Sequence, residues 1–229
     1  MRNPVNYDRL MLKASKYIKQ SETLPMQKLI LASASPRRST MLREMKIAFD
    51  IVPSSFIEPP HINGQSPRNY VKTNARGKAL QVAANLSEGI VIGADTVVVH
   101  CDRILGKPAS MDEALRFLHM LNGQTHDVLS GVCLKEVNSG RILVEAEKTR
   151  VTFRLLNAHE IESYLQHINP LDKAGAYAIQ GYGSLIVKRI TGCYYNVVGF
   201  PLARIEKMLM QWEYSLFDYI NSPAKTRTD

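Results

Sequence analysis

Short apolar runs separated by polar turns begin at residue 28. Residues 28–32, Lys-Leu-Ile-Leu-Ala, form a short, largely apolar run and predict a buried strand. A polar turn follows over residues 33–39, and Met41, Leu42 and Met45 then recur at helical spacing. The folded region is therefore predicted to start with a strand, a turn and a helix.

Prolines shape the next part of the chain. Residues 48–53 predict a second extended segment, whereas the prolines and glycine of residues 54–67 exclude continuous regular structure. A long helix is predicted from Pro67 to about Leu86, because its apolar residues share faces at helical spacing. Residues 90–99 follow as an almost unbroken β-branched run, which is typical of a central strand buried on both faces.

The second half of the chain predicts a helix and a long hairpin. Residues 112–121 have a helical pattern that stops at Asn122-Gly123, a common signal for the end of a helix. Residues 128–137 and 141–154 flank a short turn sequence and predict two long antiparallel strands.

Shorter elements complete the pattern. Asn157 and Glu160 have the spacing of a capping box and predict the start of another helix. Residues 177–180 and 185–187 predict short strands, and residues 201–219 predict a final helix. Helices that alternate with parallel-type and hairpin strands indicate an α/β fold with a mixed, strongly twisted sheet.

Composition and charge narrow the class of partner. The chain has 229 residues, 45% of them hydrophobic, which predicts one compact domain or two small lobes. A formal charge of +8 favours an anionic partner such as a nucleotide, a phosphate or a nucleic acid. We expect no stable nucleic-acid complex, because the sequence has no RNP motif, no Cys/His metal spacing and no long Arg/Lys run.

The sequence indicates neither a membrane span nor a disulfide framework. The longest apolar run, residues 89–99, is about half of the ~20 residues that cross a bilayer, and it contains Asp95. The three cysteines form no CxxC pair, which favours a reducing compartment, and we expect the cytoplasm.

We expect the chain to divide into an N-terminal extension of residues 1–27, a domain of residues 28–221 and a flexible tail of residues 222–229. The extension carries basic residues at helix-like spacing. Two interpretations of it stay open, an organellar presequence and a frayed N-terminal segment.

A candidate anion site lies at the start of the first helix. Ser35 precedes a proline at the first helical position, which leaves Arg37 and Arg38 in the first turn. Cations there oppose the helix dipole, and a bound anion would compensate for them. Backbone N–H groups, the hydroxyls of Ser33 and Ser35 and two guanidinium groups could together bind phosphates. The alternative is that the arginines point to solvent.

Asp95 is unusual because it interrupts an apolar strand. An unpaired carboxylate there would be costly to desolvate, so it must be paired, bind a ligand or lie at an exposed strand end. Ligands of open α/β sheets bind beyond the carboxyl ends of strands, and Asp95 follows residues 90–94 at such a position. Alternatively, Asp95 caps its own loop.

Other candidate residues have weaker signals when taken singly. Glu58 in a proline-rich loop, Lys78 on the long helix and Lys107 before a proline would each be typical surface charges. Gln180 follows a stretch of small residues and offers both a donor and an acceptor to a base edge. The six histidines show no metal-ligand spacing.

Taken together, these motifs resemble the Maf-type nucleoside triphosphate pyrophosphatases, the septum formation protein family. The resemblance runs from about residue 28 to residue 209. The matching segments, in chain order, are residues 29–38, Glu58, residues 75–79 with Lys78, and residues 93–96, 106–108, 172–181 and 196–201. It implies hydrolysis of a nucleoside triphosphate to the monophosphate and pyrophosphate, in a cleft between two lobes, with a divalent metal.

The resemblance also implies a branch of the family. Arg37, Thr96 and Gln180 are similar to the set found in the branch that prefers dTTP and UTP, and Thr96 and Gln180 would then read the pyrimidine edge. Residues 56–59, Phe-Ile-Glu-Pro, depart from the family, which often has an acidic pair there.

In this interpretation Glu58 and Asp95 could hold Mg²⁺ or Mn²⁺ through their oxygens. Two roles of Asp95 stay open, a ligand of this metal and a group that orients or deprotonates the attacking water. Arg37, Arg38, Lys78 and Lys107 would neutralise the triphosphate.

We therefore expect a cytoplasmic housekeeping enzyme that hydrolyses dTTP, UTP and modified pyrimidine triphosphates. One alternative is a nucleotide-binding regulator of cell division with weak catalysis, and another is an RNA-binding module, although the sequence shows no stacking aromatic platform. The family resemblance is also compatible with a homodimer.

Overall fold

The computed structural model describes residues 27–62 and 64–221. The tail of residues 222–229, and all but the last residue of the N-terminal extension, lie outside the described residues. Within them, seven strands form one sheet: β1 (Leu29–Leu31), β2 (Asp50–Ile51), β3 (Ile90–His100), β4 (Arg103–Leu105), β5 (Thr125–Glu136), β6 (Ile142–Phe153) and β7 (Val187–Thr191).

The sheet is mixed, as predicted. Its strand order is β2-β1-β3-β5-β6-β7, and β4 pairs with β3. Strand β1 is parallel to β2 and β3, whereas β4, β5, β6 and β7 pair in antiparallel fashion. The long hairpin of β5 and β6 supplies the centre of the antiparallel part.

Six α-helices flank the sheet in the described part of the chain: α1 (Pro36–Glu44), α2 (Pro67–Ala83), α3 (Met111–Leu121), α4 (Ala158–Gln166), α5 (Tyr194–Val198) and α6 (Leu202–Met210). Both α1 and α2 begin with proline at the first helical turn. The capping box predicted for α4 is present, since Asn157 and Glu160 each accept a hydrogen bond from the other's backbone N–H.

The structure corrects the predicted elements near the C-terminus. Residues 177–180 do not form a strand but lie between two 3₁₀ turns, Ala174–Ala176 and Gly181–Leu185. Gly175 and Ala176 have positive φ angles of 67° and 62°, which break an extended backbone. The strand predicted over residues 185–187 instead starts at Val187 and continues to Thr191.

The predicted last helix is also shorter. Helix α6 ends at Met210, and Glu213 has a positive φ of 65° that separates it from a 3₁₀ turn over Leu216–Tyr219. Strand β4 and helix α5 had no prediction, because both are only a few residues long.

Two hydrophobic cores form on one face of the sheet, at opposite halves of β3. The first joins Ile90 and Ile92 to α1 and α6, and the second joins Val98 to α3 and α4. On the other face, α2 packs against Val91 and the neighbouring strands. The two cores are the expected two lobes, and the centre of β3 lies between them.

None of the described helices combines the length and apolar character needed to cross a membrane.

Candidate functional site

The candidate site occupies a gap in one edge of the sheet. Strand β3 pairs with β1 through residues 90–92 and with β4 through residues 98–100, while β5 occupies its other edge. Among the described residues, no strand pairs with residues 93–97 on the first edge, and a cavity of about 570 Å³ opens beside them. All ten predicted site residues line it: Ser33, Ser35, Arg37, Arg38, Glu58, Lys78, Asp95, Thr96, Lys107 and Gln180.

Asp95 lies at the centre of this gap. The sequence pattern predicted that Asp95 lies at the carboxyl end of a strand. It lies instead in the middle of β3, because the β-branched run after it continues the strand to His100. The strand that does end here is β1, whose last residue Leu31 pairs with Ile92. The carboxyl end of a parallel strand therefore still opens onto Asp95.

Two side chains of α2 hold the Asp95 carboxylate. The Asn74 amide donates to Oδ2 at 3.0 Å, and the Lys78 ammonium donates to Oδ1 at 2.8 Å. The same ammonium contacts Oε1 of Glu58 at 2.7 Å. Since the Asp95 side chain is only 8% exposed, the ammonium compensates for its charge where water cannot. Asp95 thus bonds to α2 and not to its own loop.

Glycines let α2 approach the sheet this closely. A Cβ atom at Gly93 would overlap the backbone of α2 at Ala75, and one at Gly131 would overlap it at Val71. Asn74 and Lys78 are one helical turn apart and therefore share the face that meets β3.

The start of α1 forms a second wall of the cavity. Ser35 is the N-cap residue, and its side chain makes no capping hydrogen bond. The backbone N–H groups of Arg37 and Arg38 lie in the first turn, where a helix provides no internal acceptor. Arg37 is half-buried and reaches Asp172, with 3.6 Å between Nη1 and Oδ2 and 3.2 Å between Nη2 and the carbonyl oxygen.

The sequence predicted that Arg38 binds phosphates together with Arg37, but in the structure Arg38 bonds mainly to other parts of the protein. Its guanidinium is buried and donates to the carbonyl oxygens of Ala94 at 2.8 Å and Gly199 at 3.0 Å, and to the hydroxyls of Ser33 at 3.1 Å and Thr96 at 3.3 Å. Burial lowers the pKa of Arg38, and the nearby Asp95 carboxylate partly opposes this effect. Arg38 thus joins α1, β3 and the turn after α5, and most of its donors are occupied.

The three predicted residues farther along the cavity, Thr96, Lys107 and Gln180, differ in whether their side chains already have hydrogen-bond partners. The Thr96 hydroxyl lies 2.8 Å from Ser130 Oγ and 3.3 Å from the Gly199 carbonyl, in addition to its contact with Arg38. Lys107 and Gln180 are exposed, and their side chains have no partner among the described residues. Thr96 therefore supports the wall, while Lys107 and Gln180 are available to a ligand.

Tyr177 forms part of the wall that carries Gln180. It is buried, and its hydroxyl shares a hydrogen bond of 2.8 Å with Nε2 of His126 on β5. The His126 ring also packs edge-on against Phe153. Burial lowers the pKa of His126 to about 4, so the imidazole is neutral near pH 7.

Sequence reasoning missed two residues that orient site groups, Asn74 and Asp172. Asn74 could have been found, because it precedes Lys78 by four residues on the same face of the predicted helix. No sequence signal pairs Asp172 with Arg37, since the two are 135 residues apart.

The oxygen donors of the site fit a divalent cation that arrives with a ligand. Glu58 and Asp95 are the carboxylates that face one another across Lys78, and no group of three or more potential metal ligands occurs in the described ranges. Mg²⁺ is commonly bound by one or two carboxylates, with phosphate oxygens and water completing its shell. The pair is suited to such a shared site and not to a cage built from protein alone.

Comparisons with known proteins show the family of the chain. A family model described as Maf-like protein matches residues 28–212. The dTTP/UTP pyrophosphatase of Pelotomaculum thermopropionicum is 44% identical over 191 residues, which cover 83% of this chain and 100% of the relative. A protein of the same name from Koribacter versatilis is 47% identical over 181 residues, covering 79% and 92%. With the family match spanning most of its length, the chain belongs to the Maf-like protein family.

Proposed function

We propose that this protein hydrolyses nucleoside triphosphates, dTTP and UTP in particular, to the monophosphate and pyrophosphate. One observation carries the proposal: a buried carboxylate, Asp95, faces the basic first turn of α1 across a single cavity. A triphosphate needs cations along its oxygens and an oriented water at the phosphorus that is attacked. The names of the relatives point to the same substrates.

The phosphates bind to the start of α1 in this proposal. The free backbone N–H groups, the Ser33 and Ser35 hydroxyls and the Arg37 guanidinium provide donors for phosphate oxygens. Lys107 lies on the opposite side of the gap and adds a second cation. Arg38 contributes mainly by holding this wall in place.

Asp95 receives the proton of the attacking water. Its two oxygens are fixed by Asn74 and Lys78, so the carboxylate is oriented before a ligand binds. The water oxygen bonds to the α-phosphorus as the bond from that phosphorus to its bridging oxygen breaks. The electron pair leaves on pyrophosphate, and Arg37 and Lys107 neutralise the charge that develops there.

Mg²⁺ or Mn²⁺ would be held by Glu58 and Asp95 together with phosphate oxygens. When bound, the cation supplies further charge neutralisation at the reacting phosphate. Gln180 offers its amide to the pyrimidine edge, since both a donor and an acceptor are free there.

The test measures pyrophosphate release from a panel of nucleoside triphosphates, with Mg²⁺, with Mn²⁺ and with chelator. We expect Asp95→Asn to lower the rate by about a hundredfold or more, the usual contribution of a general base. Asp102→Asn is the matched control, because it makes the same substitution at an exposed turn beyond the end of β3.

Equal rates for wild type and Asp95→Asn would overturn the assignment of Asp95. Tight triphosphate binding without turnover by wild type would instead favour the nucleotide-binding regulator. The domain limits of residues 28–221, a cytoplasmic location, a homodimer and the absence of a stable nucleic-acid complex stay predictions.

A further inference from the structure

The segment that carries Glu58 has no regular structure, yet it contacts α2 at several points. Oε1 of Gln81 accepts hydrogen bonds from the Ser54 hydroxyl at 2.9 Å and the Ser55 N–H at 3.0 Å. At the other end of the segment, the Tyr70 hydroxyl donates to the Pro59 carbonyl at 3.1 Å. The segment is therefore tied to α2 on both sides of Glu58.

Between these ties, the Phe56 ring rests on Gly77. A Cβ atom at Gly77 would overlap ring atoms Cε1, Cε2 and Cζ of Phe56. The neighbouring side chain offers no such anchor, since Ile57 is 88% exposed. The missing side chain at residue 77 thus creates the space that the ring fills.

Gly77 is otherwise an unfavourable choice. It lies in the interior of the 17-residue helix α2, where glycine destabilises a helix relative to alanine. Its φ angle is helical, so an alanine would fit the backbone, and the ring is the obstacle. Gly77 also directly precedes Lys78, whose ammonium joins Glu58 to Asp95.

We propose that Phe56 and Gly77 are a positioning pair that places Glu58 at the Lys78–Asp95 centre. The ring in its socket fixes the segment two residues before Glu58, and the prolines that follow limit its backbone. This inference rests on the proposed function for its catalytic readout. It assigns no contact with substrate to Gly77.

A double-mutant cycle tests the pair through kcat/KM for dTTP. In the wild-type background we expect Gly77→Ala to lower kcat/KM by about tenfold or more, because a small displacement of a reacting group is costly. Leucine lacks atoms at the Cε and Cζ positions, so in a Phe56→Leu background we expect Gly77→Ala to have little effect. Arg76→Ala, an exposed change on the same helix, is the control for helix substitutions.

Two further measurements distinguish misplacement of Glu58 from a general loss of stability: a second double-mutant cycle and a ¹⁹F NMR signal. Because Gly77→Ala acts through Glu58, adding it to Glu58→Gln should lower kcat/KM no further. The thermal unfolding temperature of Gly77→Ala should be unchanged or raised, since alanine favours the helix. The ¹⁹F signal of 4-fluorophenylalanine at position 56, assigned by its loss in Phe56→Leu, should shift in Gly77→Ala.

Equal losses from Gly77→Ala in both Phe56 backgrounds, or no loss in the wild-type background, would refute the positioning pair. An unshifted ¹⁹F signal would refute the contact between the Phe56 ring and Gly77, and this result does not depend on turnover. Failure of the proposed function is distinct, because the wild-type protein would then release no pyrophosphate from any nucleotide.

Discussion

Glu136, at the end of β5, provides the most direct test of what holds the segment after α6 on the sheet. Its buried carboxylate accepts two hydrogen bonds from the Arg141 guanidinium, at 2.7 and 3.0 Å, and one from the Tyr214 hydroxyl at 2.8 Å. The Ser139 hydroxyl also donates to it. Glu136 therefore links the β5–β6 turn to the segment that follows α6.

These donors favour the charged carboxylate. The hydrogen bonds from Arg141 first, and those from Ser139 and Tyr214 after them, lower the pKa of Glu136 from its usual 4.5 to about 2, although burial opposes the change. At about 1.4 kcal/mol per pKa unit, the difference corresponds to about 3 kcal/mol of folding free energy at pH 7. This stabilisation is lost as the pH falls from 4.5 towards 2, and about half of it remains at pH 3.

Urea unfolding of wild type and Glu136→Gln measures the contribution. Trp212 is the single tryptophan of the chain and lies 5.1 Å from the Arg141 guanidinium, so its fluorescence reports on this cluster. We expect Glu136→Gln to lower the unfolding free energy by about 3 kcal/mol at pH 7 and by about half as much at pH 3. Glu162→Gln, at an exposed position on α4, is the matched control. The reasoning would be refuted if the unfolding free energies of wild type and Glu136→Gln were equal at pH 7, or if their difference did not change with pH.

Two further predictions concern buried polar groups near the cavity. Arg38→Lys should lower the unfolding free energy by about 3 kcal/mol in urea titrations, because an ammonium cannot reach the acceptors on Ala94, Gly199 and Thr96 together; an unchanged midpoint would show that these bonds contribute little. Burial lowers the pKa of His126 from 6.5 to about 4, so the unfolded chain gains a proton first on acidification. Wild type should therefore lose about 3 kcal/mol more stability than His126→Phe between pH 7 and pH 4, and parallel pH profiles would contradict this.

Local signals account for most of the elements that the sequence predicted. Strand β3 was evident because its β-branched run is long, and α4 because Asn157 and Glu160 satisfy each other's backbone N–H groups within four residues. The strand predicted over residues 177–180 was wrong because the backbone before it has positive φ at both Gly175 and Ala176, and an alanine gives no local signal of that conformation.

The site residues likewise differ in whether the local sequence reveals them. Asp95 and the basic start of α1 could be singled out because each is anomalous in its own element. The role of Arg38 could not, since two of its acceptors, the carbonyl oxygens of Ala94 and Gly199, are 56 and 161 positions away. Likewise, the close fit of Phe56 on Gly77 is visible only once the irregular segment is placed on α2.

Strand β3, which contains Asp95, contributes Ile90, Ile92 and Ala94 to the first hydrophobic core and Val98 to the second. Because one continuous strand passes through both cores, the backbone that carries the Asp95 carboxylate is anchored by packing on either side of it. Arg37 is on α1, which packs in the first core, whereas Lys107 follows β4, whose Leu105 packs in the second. The cationic walls of the cavity are therefore built on different cores, while the carboxylate between them belongs to the strand that joins those cores.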